Sequence, residues 1–361
     1  MSIRLQIKGL ILAVCFFAYV FQARAQEKIS FVWQVNAFDI YKDFRIATVK
    51  DSLFTVDWGD DCIDTIKGSE SYSNVNHAYK SKINYKVTIT GISAVHIVTH
   101  FNCSNRQLIA LNLSECTALK ELQCYNNLIV GLDLRGGTIL EKLYCNNNQL
   151  TILDISTNTA LNVIHCYNNQ LQLSDLFKIS EKISNPSSKR LGTQTLNSRT
   201  LSIDGSMNFS AQKEFGGIAT IFTIEKNSIP ASPSDYTIND GIIKFNERGI
   251  YTVTMTNNAI TSSESYPAKV VAEFNVGNVD ITESAQETSN IKVYPNPTYG
   301  QLTMNNEQLI INDVEIYDVV GQKLQSTIVN LQSEITIDIS HLPAGVYFLK
   351  AGNKVAKVVK R

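Results

Sequence analysis

Four cysteines recur every 21 residues in this 361-residue chain and suggest disulfide or metal chemistry: Cys103, Cys124, Cys145 and Cys166. A zinc site needs several converging ligands, but each repeat supplies one sulfur, and the only histidine beside one, His165, falls on the opposite strand face. Neighbouring parallel strands would hold the thiols about 4.8 Å apart with their side chains pointing the same way, which does not suit a disulfide. We therefore predict buried free thiols that act as small hydrophobic side chains, and no metal.

A second candidate group is acidic and lies in the segment Val56-Asp-Trp-Gly-Asp-Asp61. Asp57, Asp60 and Asp61 offer the hard oxygen ligands that calcium prefers. The same residues are also typical of a hairpin turn whose carboxylates accept bonds from backbone amides, and we favour this interpretation. His77 has no second catalytic group beside it in the sequence, so we predict a packed structural residue.

No enzyme motif is evident. The five histidines are scattered, and the chain lacks a phosphate-binding glycine loop, G-x-S-x-G and H-E-x-x-H. Paired carboxylates for glycoside hydrolysis are spatial rather than sequential, but the small modules described below leave no large catalytic domain. We predict a non-enzyme with no catalytic residue and no cofactor. The formal net charge of −1 gives no indication of a nucleic-acid or anionic-membrane partner.

The cysteines belong to a longer repeat over residues 93–184. Its copies share the pattern L-x-x-L-x-C-x-x-N-x-L-x-x-L-D-L, with Leu122-Gln-Cys124, Leu143-Tyr-Cys145 and Ile164-His-Cys166 in register. A fixed period of this length indicates a solenoid, and the pattern resembles the leucine-rich repeat. Alternation of apolar and polar residues predicts one short strand per coil with a buried face.

Asparagine follows each strand, at Asn127, Asn148 and Asn169. We expect its amide to turn inward and to bond the backbone of its own coil and of the next one, because buried polar groups need partners. Arg106 replaces it in the first copy, which predicts an atypical, end-capping coil.

Polar and aromatic residues on the outward side of the repeat strands form the candidate site. Tyrosine supplies rigid stacking area together with a hydroxyl, which suits a sugar ring or a protein epitope. The predicted ligand-binding residues are Tyr125, Tyr144, Tyr167, Gln123, His165, Asn126, Asn147 and Asn168. The favoured function is recognition or adhesion with a protein or polysaccharide ligand. A structural surface spacer without a ligand, and an accessory subunit of a secreted hydrolase complex, are the alternatives.

Two flanking modules are predicted to be β-sandwiches. Residues 26–92 contain Val56-Asp-Trp-Gly-Asp60, His77-Ala-Tyr79 and Tyr85-Lys-Val-Thr-Ile-Thr90, a series that resembles the PKD-type sandwich. Residues 192–278 have short strands at regular spacing and predict an Ig-like sandwich. Between the repeats and this module, we expect an amphipathic turn or short helix that closes the solenoid, built on Leu176, Phe177, Ile179 and Ile183.

The two ends of the chain carry targeting signals. Residues 1–25 have a basic start, an apolar run and Ala23-Arg-Ala25, which predict a cleaved signal peptide and no membrane span in the mature protein. After an acidic linker at 279–289, residues 290–361 contain Tyr294-Pro-Asn-Pro297, Ile316-Tyr-Asp-Val-Val-Gly-Gln322 and Leu342-Pro-Ala-Gly-Val-Tyr347. This series resembles the type IX secretion C-terminal sorting domain.

That resemblance implies passage through the periplasm, the type IX machinery as a partner, and a final location at the outer cell surface or in the medium. The predicted fold class is mainly β. A leucine-rich-repeat solenoid lies between Ig-like or PKD-like sandwiches, and a C-terminal β-sandwich follows.

Overall fold

The computed structural model describes residues 28–35, 39–92, 97–277, 293–305, 313–317, 323–328, 334–340, 342–351 and 354–361. The predicted signal peptide (1–25) and linker (279–289) lie outside these residues. The described parts of the chain consist mostly of β-strands with one α-helix, which confirms the mainly β fold class. Within those ranges, no helix has both the length and the apolar character needed to cross a membrane.

The N-terminal module and the solenoid together contribute thirteen strands to the described residues. The first six are β1 (Lys28–Gln34), β2 (Tyr41–Thr48), β3 (Leu53–Asp57), β4 (Ile63–Lys67), β5 (Ser73–Ala78) and β6 (Asn84–Gly91). The next seven are β7 (Val98–Asn102), β8 (Leu108–Asn112), β9 (Glu121–Gln123), β10 (Leu132–Asp133), β11 (Lys142–Tyr144), β12 (Val163–His165) and β13 (Lys189–Arg190).

These strands form two sheets, and each sheet runs from the N-terminal module into the solenoid. One has the order β10-β8-β1-β6-β3-β4, and the other has the order β13-β12-β11-β9-β7-β2-β5. The solenoid strands pair in parallel, whereas β1 joins β8 and β2 joins β7 in antiparallel fashion. The first module therefore covers the open end of the solenoid by continuing both of its sheets, so no sheet edge is exposed there.

The interior between the sheets is apolar and closely packed. Phe31, Phe44 and Phe101 meet at the junction with ring centroids 5.6–5.9 Å apart. Beyond them lie the leucines of the repeat and the cysteine ladder, which consists of Cys103, Cys124, Cys145 and Cys166. Cys103, Cys116, Cys124, Cys145 and Cys166 are all buried and all free, which confirms the prediction of unpaired thiols. Burial raises the pKa of each ladder thiol, so these groups stay protonated and unreactive.

Asn127, Asn148 and Asn169, which we call the asparagine ladder, bond to a different neighbouring coil from the one predicted. The Asn148 Nδ2 donates to the carbonyls of Cys145, in its own coil, and of Cys124, in the preceding coil, at 3.1 and 2.9 Å. Its Oδ1 accepts from the Ile129 amide at 3.0 Å. The predicted bond to the next coil was therefore wrong. Parallel pairing leaves each strand's terminal carbonyl beside the turn of the coil that follows it, so the amide reaches back rather than forward.

Both ends of this ladder use a different residue. At the start, the Arg106 guanidinium bonds the Asp43 carbonyl and carboxylate on β2 at 2.8 and 2.9 Å, which joins the atypical first coil to the N-terminal module. At the other end, the buried Gln194 donates to the carbonyls of Cys166 and Leu191 at 3.0 and 2.7 Å. Residues 189–196 therefore act as a fifth coil that the 21-residue period did not reveal.

The helix α1 (Leu173–Lys182) accounts for the lost period because it is inserted between the fourth and fifth coils. Leu173, Leu176 and Ile179 are buried, and the capping box Gln172–Asp175 fixes the first turn. The predicted short helix is present, but it does not close the solenoid, because the coil of residues 189–196 follows it. The helix also contacts the next module, where Phe177 packs on Phe215 with centroids 5.2 Å apart.

The module that follows is a further β-structure. Its main sheet has the order β14-β24-β23-β19-β20, with β15 also paired to β24. Strands β16, β22 and β21 form a second sheet, and β17 pairs with β18. The strands are β14 (Thr193–Thr195), β15 (Arg199–Ser202), β16 (Ser206–Asn208), β17 (Glu214–Phe215), β18 (Ile218–Ala219), β19 (Ile221–Lys226), β20 (Ile229–Pro230), β21 (Tyr236–Asn239), β22 (Ile242–Phe245), β23 (Gly249–Thr256) and β24 (Lys269–Gly277).

The C-terminal segment forms two sheets around its own apolar core, which includes Leu302, Ile316 and Leu349. Their orders are β25-β26-β29 and β28-β27-β30-β31. The strands are β25 (Val293–Tyr294), β26 (Gln301–Asn305), β27 (Asp313–Tyr317), β28 (Lys323–Ile328), β29 (Glu334–Asp338), β30 (Gly345–Ala351) and β31 (Lys354–Lys360). This arrangement is the compact sandwich predicted for residues 290–361.

Candidate ligand-binding face

The outward side of the seven-stranded sheet carries one row of residues in register across six strands. We call it the central row, and it consists of Arg45, Asn102, Gln123, Tyr144, His165 and Arg190. Alternation along each strand puts these side chains on the outward side, where all but the buried Asn102 are accessible to solvent, while Phe101, Leu122, Leu143 and Ile164 point into the core. At the usual spacing of neighbouring strands, the row is about 24 Å long.

The central row joins three of the predicted site residues. Gln123 lies beside Tyr144, and Tyr144 lies beside His165, with the last two rings in a T-shaped contact at 4.8 Å. The Gln123 side chain already has hydrogen-bond partners within the protein, because its Oε1 accepts from the Asn102 amide at 2.7 Å and its Nε2 donates to the Glu121 carboxylate. The solvent-facing parts of the half-buried Tyr144 and His165 rings are therefore what this group offers to a ligand.

Tyr125 and Tyr167 lie in a neighbouring row, one residue beyond the cysteine of their coils. This turn row consists of Ser104, Tyr125, Asn146, Tyr167 and Gly192. The buried Asn146 separates the two tyrosines, so the three predicted tyrosines do not form a single stack. Gly192 has a left-handed φ of 54°, and a Cβ there would lie 2.4 Å from the Tyr167 Cβ. Glycine is therefore required for Tyr167 to keep its position.

Asn126, Asn147 and Asn168 form an amide ladder at the margin of the face. Each has a left-handed φ of 53–54°, a conformation that asparagine tolerates well. Asn126 donates to Asn105 at 2.8 Å, Asn147 to Asn126 at 2.5 Å, and Asn168 to Asn147 at 2.6 Å. Backbone conformation and mutual bonding explain these three residues, of which Asn126 and Asn168 are exposed and Asn147 is half-buried.

An arginine stands at each end of the central row, and each guanidinium lies over a tyrosine from a distant part of the chain. Arg45 is 5.5 Å from the ring centroid of Tyr72, and Arg190 is 5.1 Å from that of Tyr266. Among the residues that the structure describes, neither guanidinium forms an ion pair or a side-chain hydrogen bond. Each therefore keeps its planar set of N–H donors available to a carboxylate, sulfate or phosphate group.

The groups between the two arginines are close to neutral. Lys142 and Glu121 form an ion pair at 3.5 Å. Burial, together with the nearby Arg190, lowers the pKa of His165 to about 4, so its ring is uncharged at neutral pH. Burial and the neighbouring Glu121 raise the pKa of Tyr72 to about 12, which keeps its hydroxyl protonated. Positive charge on the central row is thus concentrated at its two ends.

Sequence reasoning missed both tyrosine–arginine pairs. Tyr72 precedes β5 in the N-terminal module, and Tyr266 comes from the segment between β23 and β24, where its ring also meets Tyr167 at 4.5 Å. Neither follows the 21-residue period. The one available signal was the resemblance of Arg190-Leu-Gly-Thr-Gln-Thr-Leu196 to His165-Cys-Tyr-Asn-Asn-Gln-Leu171, which aligns Arg190 with His165.

Two of the three acidic residues of the turn, together with His77, have the structural contacts that were predicted. Asp57 accepts from the Gly59 amide at 3.0 Å and Asp60 from the Cys62 amide at 3.3 Å, so both carboxylates cap the turn. His77 is largely buried and stacks on Trp58 with centroids 4.8 Å apart.

The C-terminal segment matches a known protein family. Residues 292–361 match the family described as the secretion system C-terminal sorting domain. This match supports the resemblance of residues 290–361 to the type IX sorting domain. It indicates export to the cell surface or the medium, as the motifs of those residues predicted.

Similarity elsewhere is weaker. Over 114 residues, or 31% of this chain and 21% of the relative, the sequence is 27% identical to the ulvan lyase NLR42 of Nonlabens ulvanivorans. The chain thus spans about a fifth of that curated relative.

Two solved structures from Listeria monocytogenes are also similar. The functional domain of InlJ, which includes a cysteine ladder, has a TM-score of 0.34 and 19% identity, with 49% of this chain and 43% of that one covered. InlP has a TM-score of 0.32 and 16% identity, with 49% and 52% covered.

Proposed function

We propose that this protein is a secreted or surface-exposed recognition protein that binds an extended anionic polysaccharide along the central row, without catalysing its cleavage. The single observation that carries the proposal is the in-register row that ends in Arg45 and Arg190. Each of these arginines lies over a tyrosine and has no anionic partner among the described residues.

The shape of the row favours a linear ligand. Its floor is a regular sheet about 24 Å long, and Tyr72 and Tyr266 rise from loops at its two ends. A chain of several linked sugar rings fits such a floor, with Tyr144 and His165 offering ring surface near the middle. Aromatic side chains provide large contact area at low cost in conformational entropy, which suits flat polar ligands.

The distribution of charge favours acidic groups at intervals along that ligand. Arginine forms bidentate bonds with planar oxyanions, and a guanidinium already held over a ring loses less conformational freedom when it binds one. Two such groups far apart discriminate in favour of a polymer over a single sugar, because only a polymer reaches both at once.

The sorting domain supports the same proposal because it delivers the protein to the place where such polymers occur. The PKD resemblance of residues 26–92, the signal peptide and a periplasmic step remain predictions that fit this route. A relative of part of the chain is an ulvan lyase, and ulvan is therefore the first polysaccharide to test.

The experiment measures binding of the full chain to ulvan, alginate, dextran sulfate and an uncharged glucan by calorimetry. Arg45→Gln with Arg190→Gln is the test variant. Arg135→Gln is the matched control, because Arg135 is an exposed arginine that follows β10 of the other sheet and pairs with Asp133. We expect an acidic polymer to bind, the double variant to lose about 100-fold in affinity, and the control to match the wild type.

Other outcomes reject the proposal. Binding that prefers the uncharged glucan would remove the role of the arginines, and equal loss in the control would indicate only non-specific attraction. If the protein binds none of the polysaccharides, the spacer interpretation is favoured. Binding to a matrix protein instead would favour a protein ligand. Co-purification with an enzyme, without binding by the protein alone, would favour the accessory subunit.

A further inference from the structure

A cluster of metal-ligating groups lies outside the central row, at the free end of the N-terminal module. It consists of Asp60 and Cys62, in the turn between β3 and β4, and His77 on β5. One ligand atom from each of the three residues lies within 4.8 Å of the other two. Cys62 is the exposed cysteine among those the structure describes, whereas the other five are buried.

These three groups already share hydrogen bonds. His77 Nε2 and Asp60 Oδ2 are 2.8 Å apart, and the Cys62 amide donates to Asp60 Oδ1 at 3.3 Å. A carboxylate that accepts from an imidazole and lies beside a thiol brings three zinc ligands together, and a bound cation would release the thiol proton and replace the hydrogen bond between ring and carboxylate. Metal binding of this kind requires the thiolate and the neutral imidazole.

The backbone around the cluster is fixed. Gly59 has a left-handed φ of 79°, and a Cβ there would lie 2.5 Å from the Lys86 carbonyl oxygen, so the turn can pass β6 only as glycine. His77 is held between rings, stacked on Trp58 at 4.8 Å and in edge contact with Tyr79 at 4.7 Å. Two of the three ligands are therefore preorganised, and the third lies on an exposed side chain that can rotate.

We propose that Asp60, Cys62 and His77 bind one zinc ion, with the fourth coordination position open to solvent. One sulfur, one imidazole and one carboxylate form a ligand set typical of zinc, whereas calcium prefers oxygen ligands alone. Ligand atoms of a tetrahedral zinc site lie about 3.3 to 3.7 Å apart. The His77 Nε2 and Asp60 Oδ2 atoms, now 2.8 Å apart, would separate by about 0.5 Å to admit the ion, and a rotation of the exposed Cys62 side chain would bring its sulfur into range.

The position of the site indicates its effect on the fold. Strand β4 lies at one edge of the six-stranded sheet and β5 at one edge of the seven-stranded sheet, in both cases the edge away from the solenoid strands. A zinc ion held by the turn that leads into β4 and by β5 would join these two edges at the end of the module opposite the solenoid. Metal binding would stabilise the module there, since a ligand that binds only the folded state raises its stability.

The test uses the full chain, reduced and stripped of metal. It is titrated with Zn²⁺ in competition with a chromophoric chelator, and with Co²⁺ to detect a thiolate-to-cobalt charge-transfer band. We expect one ion per chain, a charge-transfer band, and a higher melting temperature with zinc. Cys62→Ser should abolish the band and weaken zinc binding by at least about 100-fold, because even residues outside the ligand shell contribute 10- to 100-fold.

Asp61→Asn is the matched control, since Asp61 is an exposed acidic neighbour in the same turn that lies outside the cluster. It should keep the band, the stoichiometry and the melting shift. His77→Gln is less decisive because His77 also packs on Trp58, whereas Cys62→Ser changes an exposed group and should leave the metal-free melting temperature unaltered. Absence of a stoichiometric ion, or equal binding by wild type and Cys62→Ser, would overturn the proposal.

Discussion

The two sides of the repeat strands follow opposite rules. On the inward side, the second, third and fourth coils present the same cysteine and asparagine, and every side-chain polar atom of Asn127, Asn148 and Asn169 has a backbone partner. On the outward side, the central row changes residue at nearly every strand and ends in two arginines without anionic partners among the described residues. Repetition thus marks the residues that hold coils together, and variation marks the surface that is available to a ligand.

The largest expected effect is on the inward side, at Asn148. Asn148→Ala removes the bonds to Cys124, Cys145 and Ile129 and leaves buried backbone groups unpaired. We expect the free energy of unfolding to fall by about 4 kcal/mol, since each unpaired buried group costs about 1–3 kcal/mol. Urea unfolding measures this loss, and a change below 1 kcal/mol would mean that the ladder is not what joins the coils.

A smaller inward effect is expected at the centre of the cysteine ladder. Cys145→Ser places a hydroxyl where the surroundings are apolar, so we expect stability to fall by about 2 kcal/mol. Cys145→Val should be better tolerated, because the site favours a small hydrophobic side chain. Chemical unfolding of both variants shows which is the more stable. A serine variant as stable as the wild type would contradict an apolar environment around Cys145.

On the outward side, the tyrosines should affect binding and leave stability almost unchanged. Changing Tyr125, Tyr144 and Tyr167 together to Ser should weaken polysaccharide binding about tenfold, at about 0.5 kcal/mol per half-buried ring. Calorimetry gives the affinity, and a thermal melt checks the fold. Tyr299→Ser is the control, because Tyr299 is a strongly exposed tyrosine in the sorting domain. An unaltered affinity in the triple variant would place the ligand elsewhere.

His165 lies on the outward side but should also affect stability, because burial and, to a smaller extent, the nearby Arg190 lower its pKa to about 4. The unfolded chain binds a proton at this residue near pH 6.5, whereas the folded chain does not. The free energy of unfolding should therefore fall as the pH drops from about 6.5 to about 4, by about 1 kcal/mol once solvent screening of the half-exposed ring is allowed for. Unfolding curves of His165→Gln should lack this decline, and a parallel decline in the variant would assign it to other groups.

The smallest effect is expected at the margin, at Asn147. Asn147→Gly keeps the left-handed backbone conformation and exchanges two side-chain hydrogen bonds at the surface, to Asn126 and from Asn168, for bonds to water. Stability should therefore change by only about 0.5 kcal/mol. Asn147→Val forces a β-branched residue into that conformation and should cost clearly more. If both substitutions are equally mild, backbone conformation does not explain asparagine at this position.

Much of this architecture could be predicted from local pattern. The 21-residue period of Cys103, Cys124, Cys145 and Cys166 predicted the coils, their buried thiols and the inward asparagines, because each coil repeats one environment. The motif Tyr294-Pro-Asn-Pro297 and its partners predicted the sorting domain. Of the candidate site, the pattern predicted the tyrosines and amides that belong to the coils, and it placed the three tyrosines together although Asn146 separates two of them.

The tertiary structure alone determined the contacts between segments that are far apart in the sequence. Arg45 and Tyr72, Arg190 and Tyr266, and the trio of Asp60, Cys62 and His77 come from different elements. The continuation of both sheets from the N-terminal module into the solenoid is likewise absent from any local pattern. The physical reason is that a period encodes contacts between equivalent positions of neighbouring coils. The ends of a solenoid have no equivalent neighbour, so the chemistry there depends on which other module folds against them.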